Sequence, residues 1–156
     1  MIKLNNKGQT LIETVLAISV ATIIISAMAL VIINSISNAT FSRNQNLATQ
    51  YAQQGMDLLR QQSESDWNTF YGYSASNYCF GPPPLNLTSS GCSSANINGQ
   101  FLRMVQIEKP GVGCTVEKAT VTVSWNDGKC GGGPTDYCHL VNLESCFTQT
   151  NTTTWP

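Results

Sequence analysis

From Val15 to Ile33 the chain runs VLAISVATIIISAMALVII, nineteen positions without a charge. A helix of about 20 apolar residues crosses the ~30 Å hydrocarbon core of a bilayer, so the pattern predicts a membrane-crossing helix over about 10–33. Asn34, Ser35, Ser37 and Asn38 interrupt the apolar run without stopping the helix, because no proline stands between Thr10 and Gln62. From about Thr40 an amphipathic period sets in. Leu47, Tyr51, Gly55 and Leu58 form one stripe, and Ala48, Ala52, Met56 and Leu59 form the next. Asn46, Gln50, Gln53, Asp57 and Gln61 make the wet face opposite. A helix over 10–62 would be ~80 Å long at 1.5 Å per residue, far more than a membrane needs. Its second part, 40–62, must lie on something.

Beyond Gln62 the helical period is lost. The stretch 63–100 is rich in turn formers, including Gly81-Pro82-Pro83-Pro84 and Ser89-Ser90-Gly91, and reads as a long irregular connection. Such connections are uncommon unless functional or crosslinked, and Cys79 and Cys92 are the expected staple. Its aromatics, Trp67, Phe70, Tyr71, Tyr73, Tyr78 and Phe80, supply either the core of a small head or a ligand-contact surface. Period-two alternation then takes over. Phe101 to Lys109 places Phe101, Val105 and Ile107 on one side, and Pro110-Gly111-Val112-Gly113 turns the chain. Val116 to Trp125 sets Ala119, Val121, Val123 and Trp125 against Thr120, Thr122 and Ser124, as in a half-buried antiparallel strand. Asn126-Asp127-Gly128 and Gly131-Gly132-Gly133-Pro134 lead to a third strand from Tyr137 to Phe147. The fold class predicted is α+β: a long N-terminal helix packed on a small antiparallel sheet, with three strands over 101–147 in a globular head over 63–156. The tail from Thr148 to Pro156 is polar and carries no predicted element.

Charged residues are 11% of the chain, against roughly 25% in an average soluble protein. Asn, Gln, Ser and Thr fill the difference, which suits the cell exterior or a dense assembly. With net charge −1 and no cluster of Lys and Arg, direct nucleic-acid binding is not expected. The cysteines, Cys79, Cys92, Cys114, Cys130, Cys138 and Cys146, are even in number and all lie in the second half. No two have Cys-x-x-Cys spacing and His139 is the one histidine, so a metal centre is not expected. Three disulfides made in an oxidising compartment fit better, at ~2–4 kcal/mol each in a head whose core is small. Fifteen connectivities are open; proximity favours Cys79–Cys92 and joins Cys130 to Cys138 or Cys146. No catalytic site or cofactor is read from the chain. Gly131-Gly132-Gly133 lacks the following helix and basic residue of a phosphate cradle.

Lys3 and Lys7 precede the apolar run, and no basic residue follows before Arg43. The positive-inside rule keeps the N-terminus cytoplasmic and puts the cysteines outside. Three fates of the segment compete. An uncleaved anchor is the simplest. A secretory signal is allowed by Ala27-Met28-Ala29, but cleavage there would leave Leu30-Val31-Ile32-Ile33 as the new terminus, and Glu13 stands where such signals carry positive charge. The third fate rests on Lys7-Gly8-Gln9-Thr10-Leu11-Ile12-Glu13, followed directly by the apolar run.

That segment closely resembles the type IV prepilin signature, a short basic leader ending in Gly, then an aromatic residue, Thr-Leu-Ile-Glu and a hydrophobic stretch. The resemblance is strong over 3–33, and LATQYAQQGMDLLR is more loosely similar to minor pilins. It implies that a prepilin peptidase cuts between Gly8 and Gln9 and methylates the new amine, which removes 1–8 as a leader and leaves a long helix over 9–62. Gln9 departs from the family's usual Phe or other apolar residue. Glu13 becomes the fifth residue of the mature chain, and in pilins its partner is the N-terminal amine of a neighbouring subunit. A carboxylate in a membrane helix costs a few kcal/mol near the bilayer centre, and a helix N-terminus returns only ~0.3–1 kcal/mol, so Glu13 calls for such a partner. The resemblance implies a structural subunit, a minor pilin more than the major one. It would be held in the cytoplasmic membrane by lipid and then assembled with other pilin subunits into a filament at the cell surface. A type II secretion pseudopilin, or a tip adhesin that uses the loop from Trp67 to Phe80, is the alternative.

Overall fold

The computed structural model describes residues 6–73, 76–83, 87–89, 92, 95–109, 114, 116–131 and 136–149, and the side chains of these except 6–9 and 76. The chain divides into two compact units, Met1–Ser42 and Arg43–Pro156. One helix, α1 (Asn6–Ser65), contributes to both.

In the second unit the two apolar stripes of α1 meet the core. Ala48, Ala52, Met56 and Leu59 are buried, and Leu47, Tyr51 and Leu58 pack partly buried against them. Asn46, Gln50, Gln53, Asp57 and Gln61 are exposed, as their spacing requires. Gly55 marks the closest approach. A Cβ there would lie 2.8 Å from Phe80 Cζ, 3.1 Å from Val121 Cγ1 and 3.2 Å from Arg103 Cδ. Helix propensity would prefer Ala by ~1 kcal/mol; the space for it is taken.

Asp66 then starts a short helix, α2 (Trp67–Tyr71). Its Oδ1 accepts the Thr69 N–H at 3.0 Å and its Oδ2 accepts the Thr69 hydroxyl at 2.5 Å. Four strands follow: β1 (Ser76–Cys79), β2 (Phe101–Glu108), β3 (Glu117–Trp125) and β4 (His139–Phe147). They form one antiparallel sheet in the order β1-β2-β3-β4. Val105 pairs with Val121, and Val121 with Leu143, so one face collects Phe101, Val105, Ile107, Ala119, Val121, Val123 and Trp125, all buried. Each fully buried large apolar side chain contributes about 1.5–3 kcal/mol. On the other face Lys118 Nζ meets Glu144 Oε2 at 3.0 Å, beside exposed Asn142.

Two expectations are corrected. The connection over 63–100 is not irregular throughout, since it carries α2 and β1, and the sheet has four strands instead of three. β1 pairs Cys79 with Met104 and Ser76 with Ile107; at four residues it is too short for alternation to register. The chain next to β2 is also ordered. Gln100 N–H donates to Ile97 C=O at 3.2 Å, around Asn98 and Gly99 at φ 51° and 67°, the signature of a type I′ turn. The third strand begins at His139, two residues later than expected, because Cys138 is held in the preceding turn by its bond to Cys130. The other bridges are Cys79–Cys92 and Cys114–Cys146.

Candidate functional site

Residues 10–42 are helical throughout, and Glu13 is their one charged side chain. From Leu11 to Ile36 the large apolar residues are 49–68% exposed. Ile23, Ile24 and Ile25 are consecutive and all exposed; three successive positions 100° apart cover most of a helix circumference, so exposure is not confined to one stripe. Four hydroxyls in this stretch turn inward on their own backbone. Thr14 donates to Leu11 C=O at 2.9 Å, Ser19 to Leu16 C=O, Thr22 to Ser19 C=O and Ser26 to Thr22 C=O, each at 2.8 Å. Such bonds let a polar side chain live in a water-free medium, where an unpaired donor costs several kcal/mol. α1 is long and apolar enough to cross a membrane and is a candidate span.

Gly8 and Gln9 lie within the first turns of α1. Gln9 and Glu13 are four residues apart and so share a helix face. Glu13 is exposed, and among the described residues it makes no ion pair.

In the second unit a residue that the alternation did not single out holds the centre. Arg103 lies on the inward face of β2 between Phe101 and Val105 and is fully buried. Its guanidinium donates to Tyr51 C=O at 2.9 Å and Gln54 Oε1 at 3.1 Å on α1, to Phe80 C=O at 3.2 Å, and to Gly81 C=O. It also sits over the Phe80 ring, 4.2 Å from the centroid. Asn96 brackets the Arg103 backbone, accepting its N–H at 2.8 Å and donating to its C=O at 2.9 Å. The planar five-donor fork suits acceptors spread over a helix and a loop, which an ammonium could not span. Burial pulls the guanidinium down to about 10, still charged at neutral pH. The Gly81 that opens Gly-Pro-Pro-Pro is thus a structural acceptor.

At the far end of the sheet Lys109 joins three elements. Its Nζ donates to Tyr71 C=O at 2.6 Å, lies 3.8 Å from the centre of the Tyr71 ring, and meets the fully buried Glu117 at 3.4 Å. Burial pushes the Glu117 carboxyl up, and Lys109 opposes that shift. Of the aromatics, Phe70, Tyr78 and Phe80 are core, while Tyr71 is 44% exposed and stacks on Trp67. With Val116, Thr148 and Gln149 these two line an open pocket of about 430 Å³.

The β3–β4 turn gathers a different chemistry. Asn126 Oδ1 accepts the Gly128 N–H at 2.6 Å and Asp127 Oδ1 accepts the Lys129 N–H at 2.9 Å, which fixes the turn as two overlapping Asx bonds. The Lys129 amide, and then His139, hold the Asp127 carboxyl below its usual range. Asp127 Oδ2 lies 3.1 Å from His139 Nε2, and the His139 ring lies 5.4 Å from that of Trp125. Asp127, Cys130, Cys138 and His139 each bring one donor atom, and all four atoms lie within 4.8 Å of one another. Compared with known proteins, the chain matches no family model, no curated protein and no solved structure.

Proposed function

We propose that this chain is a type IV pilin-like subunit, made as a precursor, cut after Gly8, held in the membrane by the first part of α1 and built into a filament outside the cell. The observation that carries the reading is the conjunction in α1. A Lys-Gly-Gln-Thr-Leu-Ile-Glu segment opens onto a helix whose apolar residues are exposed rather than confined to one stripe, with Glu13 as their one charge. Lipid covers that surface before assembly. The same helices of neighbouring subunits cover it afterwards, and prepilin peptidase makes the amine that faces Glu13.

The energetics explain why cleavage would gate assembly. Near the headgroups an exposed carboxylate is cheap, whereas among apolar helices an unpaired charge costs several kcal/mol. A neighbour's α-amino group, present only after cleavage, relieves that cost in one axial register. Glu13→Val and Glu13→Gln therefore both leave cleavage and membrane insertion intact and reduce incorporation into filaments. Gln keeps the shape and loses the charge. Comparing membrane-bound and sheared-filament fractions for wild type and both variants tests this. Wild-type incorporation of both variants would remove the pairing role.

A further inference from the structure

We infer that the β3–β4 turn is a redox-gated zinc site, a disulfide when oxidised and an S2NO metal centre when reduced. The inference is independent of the filament reading. Its ligands are Cys130 and Cys138 as thiolates, His139 through Nε2 and Asp127 through a carboxylate oxygen. The four donor atoms already lie within 4.8 Å of one another. A tetrahedral zinc with bonds of ~2.3 Å to sulfur and ~2.0–2.1 Å to nitrogen and oxygen needs donors about 3.3–3.8 Å apart. The Cα atoms of Cys130 and Cys138 are 5.6 Å apart, so side-chain rotation alone separates the two sulfurs once their bond is broken.

Three further contacts favour thiolates and a fixed imidazole. The Cys138 N–H donates to Cys130 Sγ at 3.4 Å, the kind of outer-shell bond that stabilises a metal thiolate. Asp127 is fixed by the Lys129 N–H through Oδ1, which leaves Oδ2 turned to His139 Nε2. Trp125 packs against the His139 ring. Asp127 and His139 are 13% and 29% exposed, so a hydrated ion can reach them and lose its water there.

The chemistry balances with a dithiol as reductant. The dithiol passes two electrons and two protons to the Cys130–Cys138 bond, giving two thiols and its own disulfide. Zinc then binds both sulfurs and releases two protons, while neutral His139 moves its proton from Nε2, where it faces Asp127 Oδ2, to Nδ1 and gives the Nε2 lone pair. A newly made chain carries these cysteines as thiols, so it passes through the metal-binding state before it is oxidised. Zinc there would hold the Cys130–Cys138 pair together against the twelve of fifteen connectivities that lack it.

The test uses the full chain in detergent, oxidised or reduced with dithiothreitol that is then removed without air. Zn2+ binding is measured by competition with a chromophoric chelator, and Co2+ is added in parallel to read thiolate ligation from its charge-transfer and tetrahedral d–d bands. The reduced chain should bind one zinc and show both sets of bands, and the oxidised chain should bind none at the same concentration. Cys130→Ser/Cys138→Ser, which leaves the other four cysteines in place, should abolish zinc binding after reduction. His139→Ala and Asp127→Asn should weaken it at least by the roughly 10- to 100-fold that loss of an outer-shell partner costs. Equal zinc uptake by the oxidised chain, retention by the double Ser variant, or no effect of His139→Ala would overturn the site. So would loss of the head's near-ultraviolet dichroism on reduction with no recovery on adding Zn2+.

Discussion

Arg103 shows how one residue can be illegible in a pattern and still organise a fold. Period two assigns it to the inward face of β2, where a cation is expected to be excluded, and its acceptors at Tyr51, Gln54, Phe80 and Gly81 come from segments 22 to 52 residues away. Nothing local announces them. Arg103→Lys should lower the unfolding free energy by about 2 kcal/mol or more, because one ammonium cannot serve carbonyls on both α1 and the Phe80–Gly81 loop. Denaturant midpoints of the disulfide-intact protein measure it, and a difference under about 0.5 kcal/mol would contradict the staple. Glu117 offers a test with a sign. Burial raises its pKa in the fold, so above the unfolded value of about 4.3 the folded state binds more protons and stability falls as pH rises. Glu117→Gln lacks that slope. The melting temperature of the variant relative to wild type should therefore climb as pH rises from about 4 through the raised pKa. A gap that is constant with pH would show Lys109 cancelling the effect of burial, and one that shrinks would show it outweighing burial.

At the scale of elements, strong periodicity was legible and short pairing was not. The stripes through Ala48, Ala52, Met56 and Leu59 and the alternation of β3 each repeat several times, and both predict the buried face found. β1 and α2 span four and five residues and repeat nothing. The signal for α2 was local chemistry, Asp66 with Thr69 as a cap, and the chain before β2 carried another, Asn98-Gly99 as a hairpin turn tied to Tyr51 by a 2.6 Å hydrogen bond. The cluster at Asp127 and His139 was hidden because its four donor side chains are split across a turn, without the close cysteine spacing that marks zinc sites. The bridges differ in what they constrain. Cys114–Cys146 spans 32 residues and ties the β2–β3 connection to β4, whereas Cys130–Cys138 spans 8 within one turn. On loop entropy their removal should cost about 3.7 and about 2.6 kcal/mol. Paired Cys→Ser variants compared by chemical denaturation should show the larger loss for Cys114–Cys146. The reverse order would mean that local strain or contacts, not chain entropy, set their value.

For the whole molecule, architecture and function stand on different footings. An α+β head with three disulfides explains how Arg43–Pro156 holds together with a modest core. It does not require a filament. The filament reading rests on 10–42, where exposed apolar residues follow Gly8 and Gln9 and surround Glu13 in sequence. Each rival fate of that segment leaves a different N-terminus: Met1 for an uncleaved anchor, Leu30 for a secretory signal, Gln9 for a pilin-like precursor. Intact-mass analysis of the chain from a host with a prepilin peptidase separates the three in one spectrum. The account predicts a chain of residues 9–156, with or without a methyl group on Gln9 and six hydrogens lighter for three disulfides. A mature protein that begins at Met1 or Leu30 would contradict it.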